Sequence, residues 1–216
     1  MLELDHVLVC TSAVAIAEAQ VLLDLGLREG PPNRHPGQGT ANRRFVFANA
    51  MVELLWVEDA SEAQGEVAAR TRLWERWRDR ATVCPFGICM RPSRAGTPET
   101  PPFPGWTYQP AYLPDPLSMH VGDAGLDEPM WVYLDFLRRE AWESRFVAHP
   151  AGLREVTEVT IQTPTKLTSA PARRAIEDGV LSGVEGREFA LELQVDGGHR
   201  GIRHDLRPTL PMVIHT

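Results

Sequence analysis

Two side chains that could bind a metal ion or transfer a proton stand on segments that alternate like β-strands. His6 lies in the segment Leu4–Val9, and Glu53 lies in the segment Met51–Val57. Both share a strand face with apolar neighbours, where a polar or charged group must be paired, hydrogen-bonded or bound to a metal. A third such side chain, Glu158, stands on a later strand-like segment, on a face of mixed polarity. These residue types could serve as metal ligands or as general acids and bases.

The segments around His6 and Glu158 read as two copies of one unit. Each is a strand followed by a helical run and three further strands, and His6 falls opposite Glu158 when the apolar positions are aligned. We place the first unit at residues 1–60 and the second at residues 151–216, within one structural domain. The repeat predicts a duplicated scaffold with a site between its halves.

Residues 61–150, between the two units, differ in character. A helix is predicted over Ala68–Arg80, and ten of the chain's 18 prolines then lie between Pro85 and Pro129. We expect an insertion that packs over the core, with short strand-like pieces and a short helix near Phe136–Glu143. The strand-like pieces are Phe86–Met90, Trp106–Tyr112 and Met130–Leu134.

The proline- and glycine-rich segment 31–40 predicts an irregular, ordered loop or lid at the rim of a pocket. Amide and guanidinium donors follow closely, and glycines allow a ligand to approach the backbone. The candidate substrate-binding residues are His35, Gln38, Asn42, Arg43 and Trp56.

Composition excludes several classes of protein. The net charge of −7 argues against general nucleic-acid binding, which needs a basic face. We find no apolar run of membrane-spanning length, no signal-peptide pattern, no Gly-x-Ser-x-Gly and no nucleotide-binding glycine motif. Three cysteines suit reduced thiols. We therefore expect a cytoplasmic protein with a small-molecule partner, no nucleotide cofactor, no nucleic acid and no membrane, and with a homodimer left open.

Together these features resemble the vicinal oxygen chelate superfamily, and most closely its glyoxalase-like proteins. The resemblance implies an α+β fold in which the two units pair as an eight-stranded, half-open mixed β-barrel. It is carried by Leu4-Asp5-His6-Val7, the string His35-Pro36-Gly37-Gln38-Gly39-Thr40-Ala41-Asn42-Arg43, the strand Val52–Val57 and the C-terminal Asp205–Pro211.

The resemblance also implies a divalent metal held by the first and fourth strands of each unit. His6 and Glu53 match the first pair of ligands, and Glu158 takes the third position. A carboxylate that leaves the metal could act as the catalytic base, a role that Glu53 or Glu158 would fill. The fourth position depends on the register of the last hairpin and falls at Arg203, His204 or Asp205, of which His204 is the candidate metal ligand.

Two main functions follow from the resemblance. The first is a metal-assisted lyase, isomerase or dioxygenase acting on a small oxygenated substrate. The second is a metal-free protein that sequesters a small molecule in the same scaffold, which arginine at the fourth position would favour. A third hypothesis is an interaction module that binds another protein through the proline-rich segment.

Overall fold

The computed structural model describes residues 1–93, 100–138 and 145–216, and within them thirteen strands form two sheets. The first sheet contains β1 (Leu2–Cys10), β2 (Gly30–His35), β3 (Thr40–Val46), β4 (Met51–Val57), β5 (Phe86–Pro92), β6 (Gly105–Tyr108), β7 (Met119–Gly122) and β8 (Met130–Tyr133). The second contains β9 (Val156–Thr163), β10 (Ser182–Glu185), β11 (Ala190–Val195), β12 (Arg203–Asp205) and β13 (Met212–His215).

The helices are short, and they are α1 (Ile16–Asp24), α2 (Ala60–Ala63), α3 (Glu66–Ala69), α4 (Leu73–Arg78) and α5 (Ala170–Glu177). The single helix predicted over Ala68–Arg80 is divided, because Arg72 adopts a positive φ of 58° between α3 and α4. The helix predicted near Phe136–Glu143 extends outside the described residues. In the part of the chain that the structure describes, no helix has the length and apolarity needed to cross a membrane.

The first sheet has the strand order β2-β3-β4-β1-β5-β8-β7-β6, which is symmetric about its centre. On one side β1 pairs with β4 in parallel and β3 and β2 follow in antiparallel pairs. On the other side β5 pairs with β8 in parallel, and β7 and β6 follow in the same way. The two halves meet where β1 and β5 pair antiparallel. The duplication is therefore present, but its second copy is the run from β5 to β8.

This arrangement corrects the predicted barrel and the predicted insertion. The segment between the units supplies half of the first sheet instead of packing over it, and the sheets are not closed into a barrel. Residues 151–216 do form strands and a helix in nearly the predicted order, but they build a separate sheet, β10-β9-β11-β13-β12. The α+β class is confirmed.

The segment 31–40 is also more regular than predicted. Most of it is β2 and the start of β3, joined by a tight turn in which Gly37 and Gly39 have positive φ. Proline is tolerated here because β2 is the edge strand of the sheet and its outer N–H groups have no ladder partner. The register shifts between Gly30 and Asn33, where the two prolines lie.

One hydrophobic cluster joins the two sheets. It includes Leu54 and Phe86 of the first sheet and Ile161 and Leu193 of the second, all fully buried. The side chain of Asn49 also bridges the sheets, because its amide nitrogen and oxygen bond the backbone of Val156 at 2.7 and 3.0 Å. The two sheets thus share one core.

Candidate active site

A cavity of about 240 Å³ lies on one face of the first sheet, and we call it the cup. Its two ends differ in polarity. The polar end is lined by Asp5, His6, Asn33, His35, Gln38, Asn42, Arg44, Glu53 and Arg145. The apolar end is lined by Leu8, Leu55, Met119, Met130, Val132 and Phe136. Most of the polar groups come from strands β1 to β4 and the hairpin between them, with Cys89 of β5 and Tyr108 of β6 beside them, whereas β7 and β8 supply apolar side chains.

His6 and Glu53 form a close pair in the cup. Their strands are neighbours and parallel, with Glu53 directly opposite Leu8 and therefore two residues along from His6. Nε2 of His6 lies 3.4 Å from Oε2 of Glu53, and the two side chains are 15% and 6% exposed. A pair so shielded from water interacts more strongly than a surface ion pair does.

The ring of His6 is held on its other side by Asp5. The register between β1 and β5 shifts between Leu4 and His6, and Nδ1 of His6 lies 2.7 Å from Oδ1 of Asp5. Burial of the ring lowers its pKa, but the Cys89 sulfur and the Asp5 carboxylate more than offset this, and the pKa of His6 is raised well above its ordinary value. His6 is therefore charged at neutral pH.

Asp5 is itself fixed by Arg91, whose side chain is 1% exposed. The guanidinium donates to Glu3 at 2.8 Å, to Asp5 at 2.9 Å and to the carbonyl oxygen of Asn49 at 2.8 Å. Because these bonds use separate nitrogens, they fix the position and the rotation of the guanidinium, which holds Oδ2 of Asp5 while Oδ1 faces His6. Arg91 thus orients His6 through Asp5.

Glu53 is oriented by Asn42 of the neighbouring strand β3. The side-chain amide of Asn42 donates to Oε1 of Glu53, and its oxygen accepts from the backbone N–H of Asn33 at 2.8 Å. Oε2 of Glu53 is the oxygen that faces His6. Asn42 therefore acts on the carboxylate, in addition to lining the cavity as the sequence predicted.

The β2–β3 turn places Gln38 over the cup. Its amide nitrogen donates to Thr40 at 2.7 Å, and its oxygen accepts from the hydroxyls of Tyr108 and Tyr112 at 3.1 and 3.3 Å. His35 bonds the same threonine at 2.8 Å and stacks at 4.7 Å against Tyr112. Burial lowers the pKa of His35, so this second imidazole of the cup is neutral at pH 7.

The two tyrosines are protonated donors for the same reason. Burial raises the pKa of Tyr108 to about 12, and it raises the pKa of Tyr112 as well. Both hydroxyls donate to Gln38, and these bonds connect the β2–β3 hairpin to β6 and the segment that follows it. Residues from both halves of the first sheet therefore stabilise the wall of the cup that carries Gln38.

Comparison with known proteins finds a family model that matches part of the chain. Residues 4–99 match the family model described as a glyoxalase-like domain, and this stretch includes β1 to β5 and hence both His6 and Glu53. Residues 4–99 are therefore similar to a glyoxalase-like domain. The match confirms the resemblance that the sequence suggested.

The chain as a whole also resembles a protein of known structure. The crystal structure of a hypothetical protein from Staphylococcus aureus matches with a TM-score of 0.59 and 8% identity, over 99% of this chain and 98% of that chain. At this identity the likeness shows the fold alone. No curated protein matches the sequence.

The four side chains proposed as metal ligands do not meet in this structure. His6 and Glu53 are in the cup, but Glu158 lies on β9 of the second sheet, exposed, and lines a different cavity of about 180 Å³. His204 lies on β12, where its Nε2 is 3.3 Å from the hydroxyl of Thr216. The reason is topological, because the strand paired with β1 across the centre of the sheet is β5 and not β9.

These residues therefore do not fit a four-ligand metal centre. In the positions across the sheet from His6 and Glu53, β5 and β8 bring Cys89, Val132 and Met130 to the cup. Among the residues that the structure describes, no group of three or more His, Cys, Asp or Glu side chains is placed to hold a metal ion. We derive no chemical step through a metal.

Two of the predicted substrate-binding residues also lie outside the cup. Arg43 is paired with Glu29, and Trp56 is buried in the shared core. Both follow from strand alternation, since Asn42 and Glu53 face the cavity and their odd-spaced neighbours face away. His35, Gln38 and Asn42 do line the cup.

Several cup residues were missed by the sequence analysis. Asp5 was not among the candidate site residues, because the shift in strand register that brings it beside His6 has no clear sequence signal. Cys89 was considered only as one of three reduced thiols, although it lines the cup opposite His6. Tyr108 and Tyr112 were placed in the insertion and not at the site, and only the sheet that contains β6 and β7 shows where they lie.

Proposed function

We propose that the cup binds a small oxygenated molecule and that His6 and Glu53 transfer protons on it without a metal. The observation that supports this is the shielded pair of an imidazolium and a carboxylate on the wall of a partly apolar cavity. Charges buried in this way are expensive for folding, and clusters of perturbed titratable groups in a cleft are typical of active sites. The chemistry falls within lyase or isomerase reactions.

The roles follow from charge. The N–H at Nε2 of His6 donates to a carbonyl oxygen of the ligand and stabilises negative charge that develops there. Oε2 of Glu53 accepts a proton from the adjacent carbon as the C–H bond breaks, and the electron pair of that bond forms the carbon–carbon double bond. The carbonyl oxygen takes the proton from Nε2 of His6, so that an enol and a neutral imidazole result. Asp5 and Asn42 hold the two groups in place, and the apolar end receives the carbon skeleton.

Deuterium incorporation tests this proposal directly. The protein is incubated in D₂O with a panel of 2-oxoacids, hydroxyketones and 1,2-dicarbonyls, and exchange at the carbon next to the carbonyl is followed by NMR. We expect accelerated exchange for at least one panel member, with a loss of about 10²- to 10⁴-fold in Glu53→Gln. Arg43→Lys is the matched control, because Arg43 lies on the same hairpin but outside the cup. Exchange by Glu53→Gln at the wild-type rate would refute the role of Glu53.

Sequestration of a small molecule is the second candidate function, and the wide apolar wall of the cup favours it. Binding of a panel member is measured in the same samples from chemical-shift changes of residues in the cup. Binding with no exchange above the uncatalysed rate supports sequestration and contradicts catalysis. Added Mn²⁺, Ni²⁺ or Zn²⁺ should leave the exchange rate unchanged, and stimulation that is lost in His6→Gln would contradict a metal-free reaction.

A further inference from the structure

A second cavity, of about 260 Å³, is lined by three arginines. Arg70, Arg72 and Arg76 come from the end of α3 and from α4 and the turn before it, and Trp106 of β6 forms part of the wall. Asp123 is the one carboxylate among the described residues that line it. A positively lined cavity is notable in a chain whose net charge is −7.

Arg76 is the unusual member of this set. Its side chain is 3% exposed and donates to the backbone carbonyls of Cys84, Gly125 and Glu128 at 2.7 to 3.0 Å. Carbonyl oxygens are neutral, and within the described ranges no carboxylate forms an ion pair with this guanidinium. Its Nε is buried without a hydrogen-bond partner. A buried cation with neither a counterion nor a full set of acceptors would be stabilised by a bound anion.

Arg70 and Arg72 add donors at the mouth of the cavity. The guanidinium of Arg70 stacks 4.3 Å from the centre of the Trp106 ring, a contact that uses its face and leaves its N–H groups at the edge. Arg72 contacts Glu75 through Nε at 3.3 Å, so its two terminal nitrogens remain for another partner. Together the three guanidiniums have more N–H donors than the cavity wall has acceptor atoms for them.

We propose that this cavity binds a small oxyanion of double negative charge, as carried by inorganic phosphate or a phosphate monoester. Three guanidiniums against Asp123 and the Glu75 that pairs with Arg72 leave a net positive charge at the cavity. Phosphate has four oxygens with which to accept from several guanidiniums at once, whereas a monocarboxylate has two. The planar forks of arginine suit phosphate oxygens. The site is separate from the His6–Glu53 pair, so it stands whether or not the cup is catalytic.

The probe is inorganic phosphate, titrated into the full chain at about 0.15 M NaCl, where surface charge effects are screened. Isothermal calorimetry reports binding, and tryptophan fluorescence reports the Trp106–Arg70 stack, with Trp106→Phe identifying that part of the signal. We expect saturable binding, with acetate at the same ionic strength binding at least about tenfold more weakly because it carries a single charge.

Arg70→Gln and Arg72→Gln are the test variants, since both residues are exposed and their replacement spares the contacts of Arg76. Each should weaken phosphate binding about five- to tenfold. Arg80→Gln is the matched control, because Arg80 also stacks on a tryptophan, Trp77, but does not line the cavity. It should leave binding unchanged.

The proposal is overturned if phosphate gives no saturable signal up to tens of millimolar. It is also overturned if acetate binds as tightly as phosphate, or if Arg80→Gln weakens binding as much as Arg70→Gln does. Each of these results would mean that the arginines are a general surface charge and not a site.

Discussion

At the scale of single residues, the position of His6 between two carboxylates decides the character of the cup. Asp5 contacts one ring nitrogen at 2.7 Å and Glu53 approaches the other at 3.4 Å. A ring flanked in this way is held in one orientation, and Cys89 together with Asp5 raises its pKa against the effect of burial. His35, on the other wall, has only neutral hydrogen-bond partners in the described structure and loses its proton. The cup therefore holds one charged and one neutral imidazole at neutral pH.

Replacing Asp5 should change the titration of His6. In Asp5→Asn the carboxylate beside Nδ1 is lost, so the pKa of His6 should fall toward its ordinary value of about 6.5. NMR of the ring protons measures it. Glu3→Gln is the control, because it removes the other carboxylate bound to Arg91 and does not contact His6. An equal shift in both variants would mean that Asp5 acts only through Arg91.

The same shift predicts how stability depends on pH. Because the pKa of His6 is raised in the folded state, its contribution to the free energy of unfolding is complete below about pH 6.5. The contribution is lost as the pH rises through the folded-state value. Asp5→Asn should therefore reduce the difference between the free energies of unfolding in mildly acidic and in alkaline solution, as measured by urea unfolding at several pH values. An unchanged pH profile would contradict the raised pKa.

Substitution of Arg91 should lower the free energy of unfolding more than most single substitutions do. Arg91→Met leaves Glu3 and the buried Asp5 without their guanidinium, and breaking a buried ion pair by removing one partner costs about 3–5 kcal/mol. Arg78→Met is the control, since Arg78 and Asp79 form an exposed pair that should contribute nothing measurable. Urea unfolding compares the two. Equal effects would mean that Arg91 is not a structural centre.

The sequence predicted a site residue correctly where the chemistry of that one side chain was enough to show that it needs a partner. His6 and Glu53 were found because a titratable side chain on an apolar strand face needs a partner. Asp5 was missed because a local shift of strand register, which the alternation pattern does not encode, turns it toward His6. Glu158 was misplaced because the residue-level argument depended on pairing two strands that the fold keeps in separate sheets.

At the scale of elements, the β2–β3 turn depends on one glycine. Gly39 has a φ of 70°, and a Cβ added there would lie 2.2 Å from the carbonyl oxygen of Asp59 and 2.6 Å from the backbone nitrogen of Ala63. The backbone of Gly39 also accepts the N–H groups of Glu58 and Asp59, at 2.8 and 3.0 Å. The turn that carries Gln38 is thus clamped onto the end of β4 and the start of α2.

Gly39→Ala should lower the free energy of unfolding by more than backbone strain alone accounts for. Strain at positive φ accounts for about 1–2 kcal/mol, and the clash with backbone atoms adds to it. Gly179→Ala separates the two effects, because Gly179 has a similar φ of 73° with nothing within 4 Å of the added Cβ. Thermal unfolding should show a clearly larger loss for Gly39→Ala. Equal losses would mean that the turn can move away from α2.

The elements were predicted unevenly, and the reasons are physical. β1, β4 and α5 were found because their hydrophobic periods are regular and, for α5, because Ser169 caps its first turn. The strands β5 to β8 were recognised as pieces but assigned to an insertion, since prolines in the loops between them concealed the second copy of the repeat. Which strands pair is a long-range property that local pattern does not fix.

At the scale of the whole molecule, the shared core predicts that the two sheets unfold together. Residues 151–216 contain no tryptophan, so fluorescence senses the second sheet only through its contacts with the rest of the chain, whereas far-ultraviolet circular dichroism reports on both sheets. Because one hydrophobic cluster and the Asn49 bonds join the sheets, the two urea transitions should coincide. Two separate midpoints would show that the second sheet is an independent unit.

The symmetry of the first sheet has a consequence for how such a protein can diverge. Its acid–base pair and the arginine behind it come from β1, β4 and β5, while Met119, Met130 and Val132 of β7 and β8 shape the opposite wall. Substitutions in that wall alter the volume offered to a ligand and leave the titrating groups in place. After a gene duplication, substitutions in one half of the sheet can therefore change which ligand fits, while the His6–Glu53 pair in the other half is kept.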